Sequence, residues 1–220
     1  MKSFWVAGLA FALALVLSAC GGGDEKEETP SQDDTALQDM LMVKLEGLPW
    51  AITPLGDAAR SNEEAASQYP DSEQWLKDYE EWGRTGGHYA QLQLGDSGAP
   101  SLGLQIEVEK YESTDGAKSA WSAVREFILS EEMQSILKDA GATEATIEEV
   151  SAEKVGDESV ALRMAIDNQG VMSENFVVLF RRDGVLASAV VGGDEGSATV
   201  ADAVAVAKQL DTRIQDVLKR

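Results

Sequence analysis

Apolar residues fall along this chain in two rhythms, one near 3.6 and one near 2, and the switches between them mark the predicted elements. An apolar run without a period occupies residues 4–16. From Thr35, the positions Ala36, Leu37, Met40, Leu41 and Leu45 recur at helical spacing, which predicts a short helix ended by Gly47-Leu48-Pro49-Trp50. Residues 56–70 read as polar and turn-prone. Asp71 or Ser72 then caps a helix with Trp75, Leu76, Tyr79 and Trp82 on one face, and Gly83 fits its end.

The period shortens at His88. Residues 88–94 and 102–111 read as strands joined by a loop carrying Asp96, Gly98 and Pro100. Residues 114–129 return to helical spacing, with Ala117, Ala120, Trp121, Val124, Phe127 and Ile128 on one side. Ser130 caps the next helix, with Glu131 and Glu132 at its positive end, Lys138 in its last turn and Gly141 beyond. Four strands are expected over 146–152, 159–166, 175–181 and 185–191, with Asp183-Gly184 as a tight hairpin. Val160, Leu162, Met164 and Ile166 alternate with Ala161, Arg163 and Ala165, the pattern of a sheet with one covered face. Residues 198–218 close the chain as a helix striped by Val200, Val204, Ala207, Leu210, Ile214 and Val217, with Asp194 or Ser197 as its cap. The expected class is α+β, an antiparallel sheet of about six strands with helices packed on one face.

The opening run gains meaning from its flanks. Lys2 precedes it, and Leu17-Ser18-Ala19-Cys20, Gly21-Gly22-Gly23 and the charges Asp24 to Glu28 follow. A positive end, a short apolar core and small residues before a cut make a secretory signal, and the run is shorter than the roughly 20 residues of a membrane span. The Leu-Ser-Ala-Cys order resembles the lipobox of bacterial lipoproteins. That resemblance implies cleavage between Ala19 and Cys20, a diacylglycerol on the Cys20 thiol and a palmitate-type acyl chain on the new amino terminus. The chain would then sit on the extracytoplasmic face of the cell membrane or the outer membrane, since two or more acyl chains hold a protein stably. The expected organisation is a signal peptide over 1–19, the lipidated Cys20 with a disordered acidic tether to residue 34, and one α+β domain over 35–220.

Charge and rare residues narrow the chemistry. Asp and Glu number 39 against 18 Lys and Arg, a net charge of −21 that repels phosphate backbones and excludes nucleic acid as a partner. Cys20 is the single cysteine and His88 the single histidine, so neither a disulfide nor a tetrahedral zinc site is expected. No Asp-x-Asp-x-Asp-Gly spacing marks a calcium loop, and Glu148-Glu149 and Asp157-Glu158 read as a solvated rim. No cofactor or metal is expected.

Three further resemblances bear on function. Residues 95–100, Gly-Asp-Ser-Gly-Ala-Pro, resemble the nucleophile loop of chymotrypsin-like proteases, which would pair Ser97 with His88. That family places its His and Asp far upstream, however, and the same residues serve a turn between strands. Residues 192–196, Gly-Gly-Asp-Glu-Gly, resemble the diguanylate cyclase signature short of its final Phe, but a helix follows where that family needs a strand, so a strand-to-helix connection is expected. The element order over residues 88–220 is similar to PsbP-type antiparallel domains and to extracytoplasmic sensor domains of bacterial receptor kinases, which implies a fold and not a function.

The expected function is a lipid-anchored extracytoplasmic binding or interaction protein, not an enzyme, with no catalytic residue assigned. Its partners would be the membrane through Cys20 and either an envelope protein or a small molecule. The alternatives are an assembly or scaffold factor for a membrane complex and an envelope hydrolase using carboxylates. Tyr69, Trp75, Tyr79, Trp82, His88 and Tyr89 form the expected binding surface, since exposed aromatics make good anchors.

Overall fold

A computed structural model describes residues 32–41, 52–95 and 102–220. The elements in chain order are α1 (Gln32–Leu41), β1 (Ile52–Arg60), α2 (Asn62–Ala66), α3 (Ser72–Glu81), β2 (Arg84–Leu94), β3 (Leu102–Tyr111), α4 (Thr114–Ile128), α5 (Glu131–Asp139), β4 (Glu144–Val150), β5 (Glu158–Asn168), β6 (Val171–Arg182), β7 (Val185–Asp194) and α6 (Val200–Leu218). The strands form one sheet in the order β1-β2-β3-β7-β6-β5-β4, and every neighbouring pair is antiparallel. The α+β class is as expected. The signal segment, Cys20, the tether as far as residue 31, the helix end over 42–51 and the loop around Ser97 lie outside the described residues.

Helices cover both faces of the sheet, not one. Leu104, Ile106 and Val108 of β3 and Ala187, Ala189 and Val191 of β7 pack against Val206, Leu210 and Ile214 of α6. α1 joins the same layer through Leu37, Met40 and Leu41, and the Arg213 Nε donates to the Asp39 carbonyl at 2.7 Å to pin α1 to α6. Alternate positions on the other face, Tyr111, Leu179 and Leu186, meet Ala117, Ala120 and Val124 of α4. Phe127, Met133, Leu137 and Ile166 extend that layer beneath α4 and α5. The cause lies in β6, where Phe176, Val177, Val178, Leu179 and Phe180 are all buried: an unbroken apolar run belongs to a strand covered on both sides.

The seventh strand, β1, was not expected; its second half lies in the stretch over 56–70 expected to be turn-prone. It is an edge strand, largely exposed on both faces, so no alternation of apolar and polar residues marks it. Pro54 and Gly56, poor strand formers, flank a register shift in its pairing with β2. β4 starts two residues earlier than expected, and α1 takes in residues 32–34.

The caps of α3 and α5 are the expected Asp71 and Ser130. Asp71, Ser113 and Ser130 each accept a backbone N–H from the first turn of α3, α4 and α5. For α6 the cap is Thr199, in a reciprocal box with Asp202, and not Asp194 or Ser197; the Ser197 hydroxyl instead donates to the Asp194 carbonyl. Gln169 and Gly170, with φ of 56° and 88°, close the β5–β6 hairpin.

Candidate functional site: a cavity between sheet and helices

A cavity of about 160 Å³ lies between the β3-β7-β6 floor and the cover made by α4, α5 and the α2–α3 connection. That size is close to an engineered cavity of roughly 150 Å³ that accepts benzene. Its walls divide by chemistry. Phe127 and Ile128 of α4, Met133 and Leu137 of α5, Met164 of β5 and Val177 of β6 make an apolar side. Arg60, Gln105, Glu107, Ser188 and Asn175 bring polar atoms from the strands, and Gln68 from above.

Register explains the polar side. Glu107 on β3 stands directly opposite Ser188 on β7 and Tyr89 on β2, and Gln105 is the next residue of β3 on that face. Arg60, the last residue of β1, reaches over so that its Nη1 donates to the Glu107 Oε1 at 2.7 Å. The Arg60 guanidinium also lies 4.5 Å above the centre of the Tyr89 ring, a cation–π contact. Burial pushes the Glu107 carboxyl above its ordinary value, with Arg60 pulling the other way. One row beyond Gln105, Asn175 of β6 pairs with Gly192, where any Cβ would fall 1.8 Å from the Asn175 Oδ1. Asn175 is only 4% exposed, yet its Nδ2 has no hydrogen-bond partner among the described residues.

A second buried pair stands beside the first. The Arg84 Nε donates to the Glu109 Oε1 at 2.9 Å, and the Tyr111 hydroxyl donates to the other oxygen of the same carboxylate at 2.9 Å. The Arg84 Nη1 adds a bond to the Asn62 Oδ1 at 2.8 Å, and its guanidinium sits 5.0 Å from the centre of the Tyr79 ring. Burial, reinforced by Glu109, raises the Tyr111 hydroxyl far above its ordinary value, so Tyr111 remains a donor at any ordinary pH.

The expected aromatic surface is divided by the fold. Tyr69 stacks on Trp75 with centroids 3.7 Å apart, and Tyr79, Trp82 and Phe127 meet the pair edge-on or tilted. Tyr69 and Tyr79 line the cavity, while Trp75 and Trp82 are half-buried around them. Tyr89 is on the cavity side of the sheet, against Arg60. His88 alone is on the opposite side, buried beneath α1, with its Nε2 3.0 Å from the Asp57 Oδ2. The polar cavity residues escaped sequence reading because Gln105, Glu107 and Glu109, alternating with Leu104, Ile106 and Val108, read as an ordinary solvated strand face.

The remaining motifs have structural roles. Glu148 and Glu149 of the expected rim pair with Arg163 and Arg125, and Asp157 and Glu158 both pair with Arg181. The Gly192–Gly196 stretch forms the end of β7 and the turn into α6, where the Gly196 N–H donates to Glu174 at 3.1 Å. Among the described residues, no three His, Cys, Asp or Glu side chains converge as a metal site requires, and no helix is long and apolar enough to cross a membrane.

Fold and site together define an antiparallel α+β domain covered on both faces, with a polar-and-apolar cavity on one of them. No family model matches the sequence, and no curated protein does. Among solved structures, the chain is similar to the extracellular domain of PknH from Mycobacterium tuberculosis: 10% identity, a TM-score of 0.50, and coverage of 89% of this chain and 100% of that one. It is also similar to an uncharacterised Mycobacterium smegmatis protein, an Rv0999 ortholog, at 12% identity and a TM-score of 0.45 over 82% of this chain and 96% of that one. The likeness to the PknH domain is one of fold.

Proposed function

We propose that the protein is a binding module, held through a lipidated Cys20 on the extracytoplasmic side of its membrane, that takes a small ligand into the cavity between sheet and helices. The observation carrying this reading is the cavity itself, ring-sized and lined by apolar groups on one side and strand-borne polar groups on the other. The lipobox residues support the location, and the extracellular setting of the PknH domain, which shares the fold, agrees with it. Binding is favoured over hydrolysis because both cavity carboxylates are engaged: Arg60 holds Glu107, and Arg84 with Tyr111 holds Glu109. A carboxylate already committed to a buried cation is a poor proton shuttle.

Methyl NMR tests the cavity. Toluene and benzamide, added in turn, are expected to shift the Met164, Val177 and Leu137 methyl signals saturably, and Val177→Phe, which fills the space, is expected to remove the response. Silence towards both compounds would sink the cavity as a binding site. Mass spectrometry of protein taken from its own host's membranes tests the anchor: the expected mass carries a diacylglyceryl group on Cys20, and a bare thiol there overturns it.

A further inference from the structure

We infer that the ligand is uncharged and amphipathic, with an apolar body about the size of one six-membered ring and a head group that both donates and accepts hydrogen bonds, as a primary amide does. This rests on the cavity being the binding site and names the chemistry that site selects.

Charge decides the first half. Among the described residues, the charged side chains on the cavity wall are Arg60, Glu107 and Glu109, and each already faces an opposite charge, Glu109 through Arg84. These groups are well shielded: the Arg60 and Arg84 side chains are 9% and 0% exposed. A ligand carboxylate or ammonium would have to break one of these pairs or sit uncompensated beside them, and an unmatched charge in such a place is strongly unfavourable. A neutral head meets neither difficulty.

Hydrogen-bond direction decides the second half. Arg60 offers only donors, and the Glu107 carboxylate only acceptors. Ser188, directly across from Glu107, and Gln105, further along the same strand, can each do both. A head group able only to donate or only to accept would leave one member of this set facing an apolar surface. The Asn175 amide nitrogen adds a buried donor on the same wall that has no partner among the described residues, a group that an acceptor on the ligand would satisfy. Beyond these residues, Met133, Met164 and Leu137 offer no hydrogen bonds, and the pliant methionines adapt to the shape of a flat or puckered ring.

Titration of the full chain at neutral pH with four ring compounds of similar size separates the alternatives: benzamide, benzoate, benzylamine (protonated at that pH) and toluene. Benzamide is expected to bind most tightly, by about fivefold or more over each of the others, the worth of one or two well-made hydrogen bonds. The paired change Arg60→Met with Glu107→Leu removes both charges together and leaves neither stranded; it is expected to bring benzamide down to the level of toluene. Ser188→Ala, a smaller change made in case the paired variant unfolds, is expected to weaken benzamide and leave toluene unaffected. Benzoate or benzylamine ranking first would overturn the neutral head, and toluene matching benzamide would overturn the polar one; in either case the cavity survives as a binding site. Failure of all four to bind would remove the cavity reading itself.

Discussion

Gly116 occupies the first turn of α4, a place where alanine ordinarily strengthens a helix by about 1 kcal/mol. Here a Cβ would fall 2.0 Å from the carbonyl oxygen of Trp82, a backbone atom at the end of α3 that has little freedom to retreat. Gly116→Ala is therefore expected to destabilise the protein by about 1–3 kcal/mol, read as a lower urea midpoint, and an unchanged or higher midpoint would refute the contact. Glu174 carries the pH dependence at the same scale. Burial works against its charge, but the Arg163 Nε at 2.5 Å and the Gly196 N–H outweigh burial and hold the carboxyl below its ordinary value. A lowered folded-state value adds stability above the unfolded value, near 4.3, and that stability is lost as pH falls through the folded one. Glu174→Gln is thus expected to melt earlier than the parent at pH 7, with the gap in Tm closing as the pH is lowered to about 3. A gap that stays constant across that range would mean the charge contributes nothing.

At the scale of elements, local chemistry decided what the sequence disclosed. Ser130, Glu131, Lys138 and Gly141 bracket α5 because caps and terminal charges act within a single turn, and α5 forms between them. β3 was legible to the residue because its apolar side is continuous from Leu102 to Val108. β1 was not, since an exposed edge strand has no buried face to impose a period. Of the cavity wall, Tyr79 of α3 stands out by helical spacing, whereas Arg60 and Glu107 become partners only through a register joining β1, β2 and β3, 47 positions apart in sequence. The stripe on α6 yields a graded expectation. Ile214 is fully buried against the sheet and Val217 only partly, so Ile214→Ala is expected to cost about 2–5 kcal/mol and Val217→Ala distinctly less, measured by chemical denaturation. Equal losses at the two positions would mean that α6 packs less firmly at Ile214 than its burial indicates.

For the whole molecule, the governing quantity is the excess of acid, a net charge of −21. Two electrostatic effects compete when salt is added. Ion pairs weaken, but exposed ones such as Arg163–Glu148 and Lys208–Glu153 are each worth only about 0–1 kcal/mol. The shielded pairs, Arg60–Glu107, Arg84–Glu109 and Arg182–Asp211, lie where mobile ions screen poorly. Repulsion among the unpaired carboxylates weakens too, and it acts across the entire surface at distances comparable to the roughly 10 Å Debye length at 0.1 M. The compact state concentrates that repulsion more than the expanded chain does, so screening favours the fold. Raising sodium chloride from about 10 mM to about 300 mM is therefore expected to raise Tm, most steeply over the first 100 mM, where the Debye length shortens fastest. A falling Tm over that interval would mean that attraction within the ion pairs, and not repulsion across the surface, dominates the electrostatics of this domain.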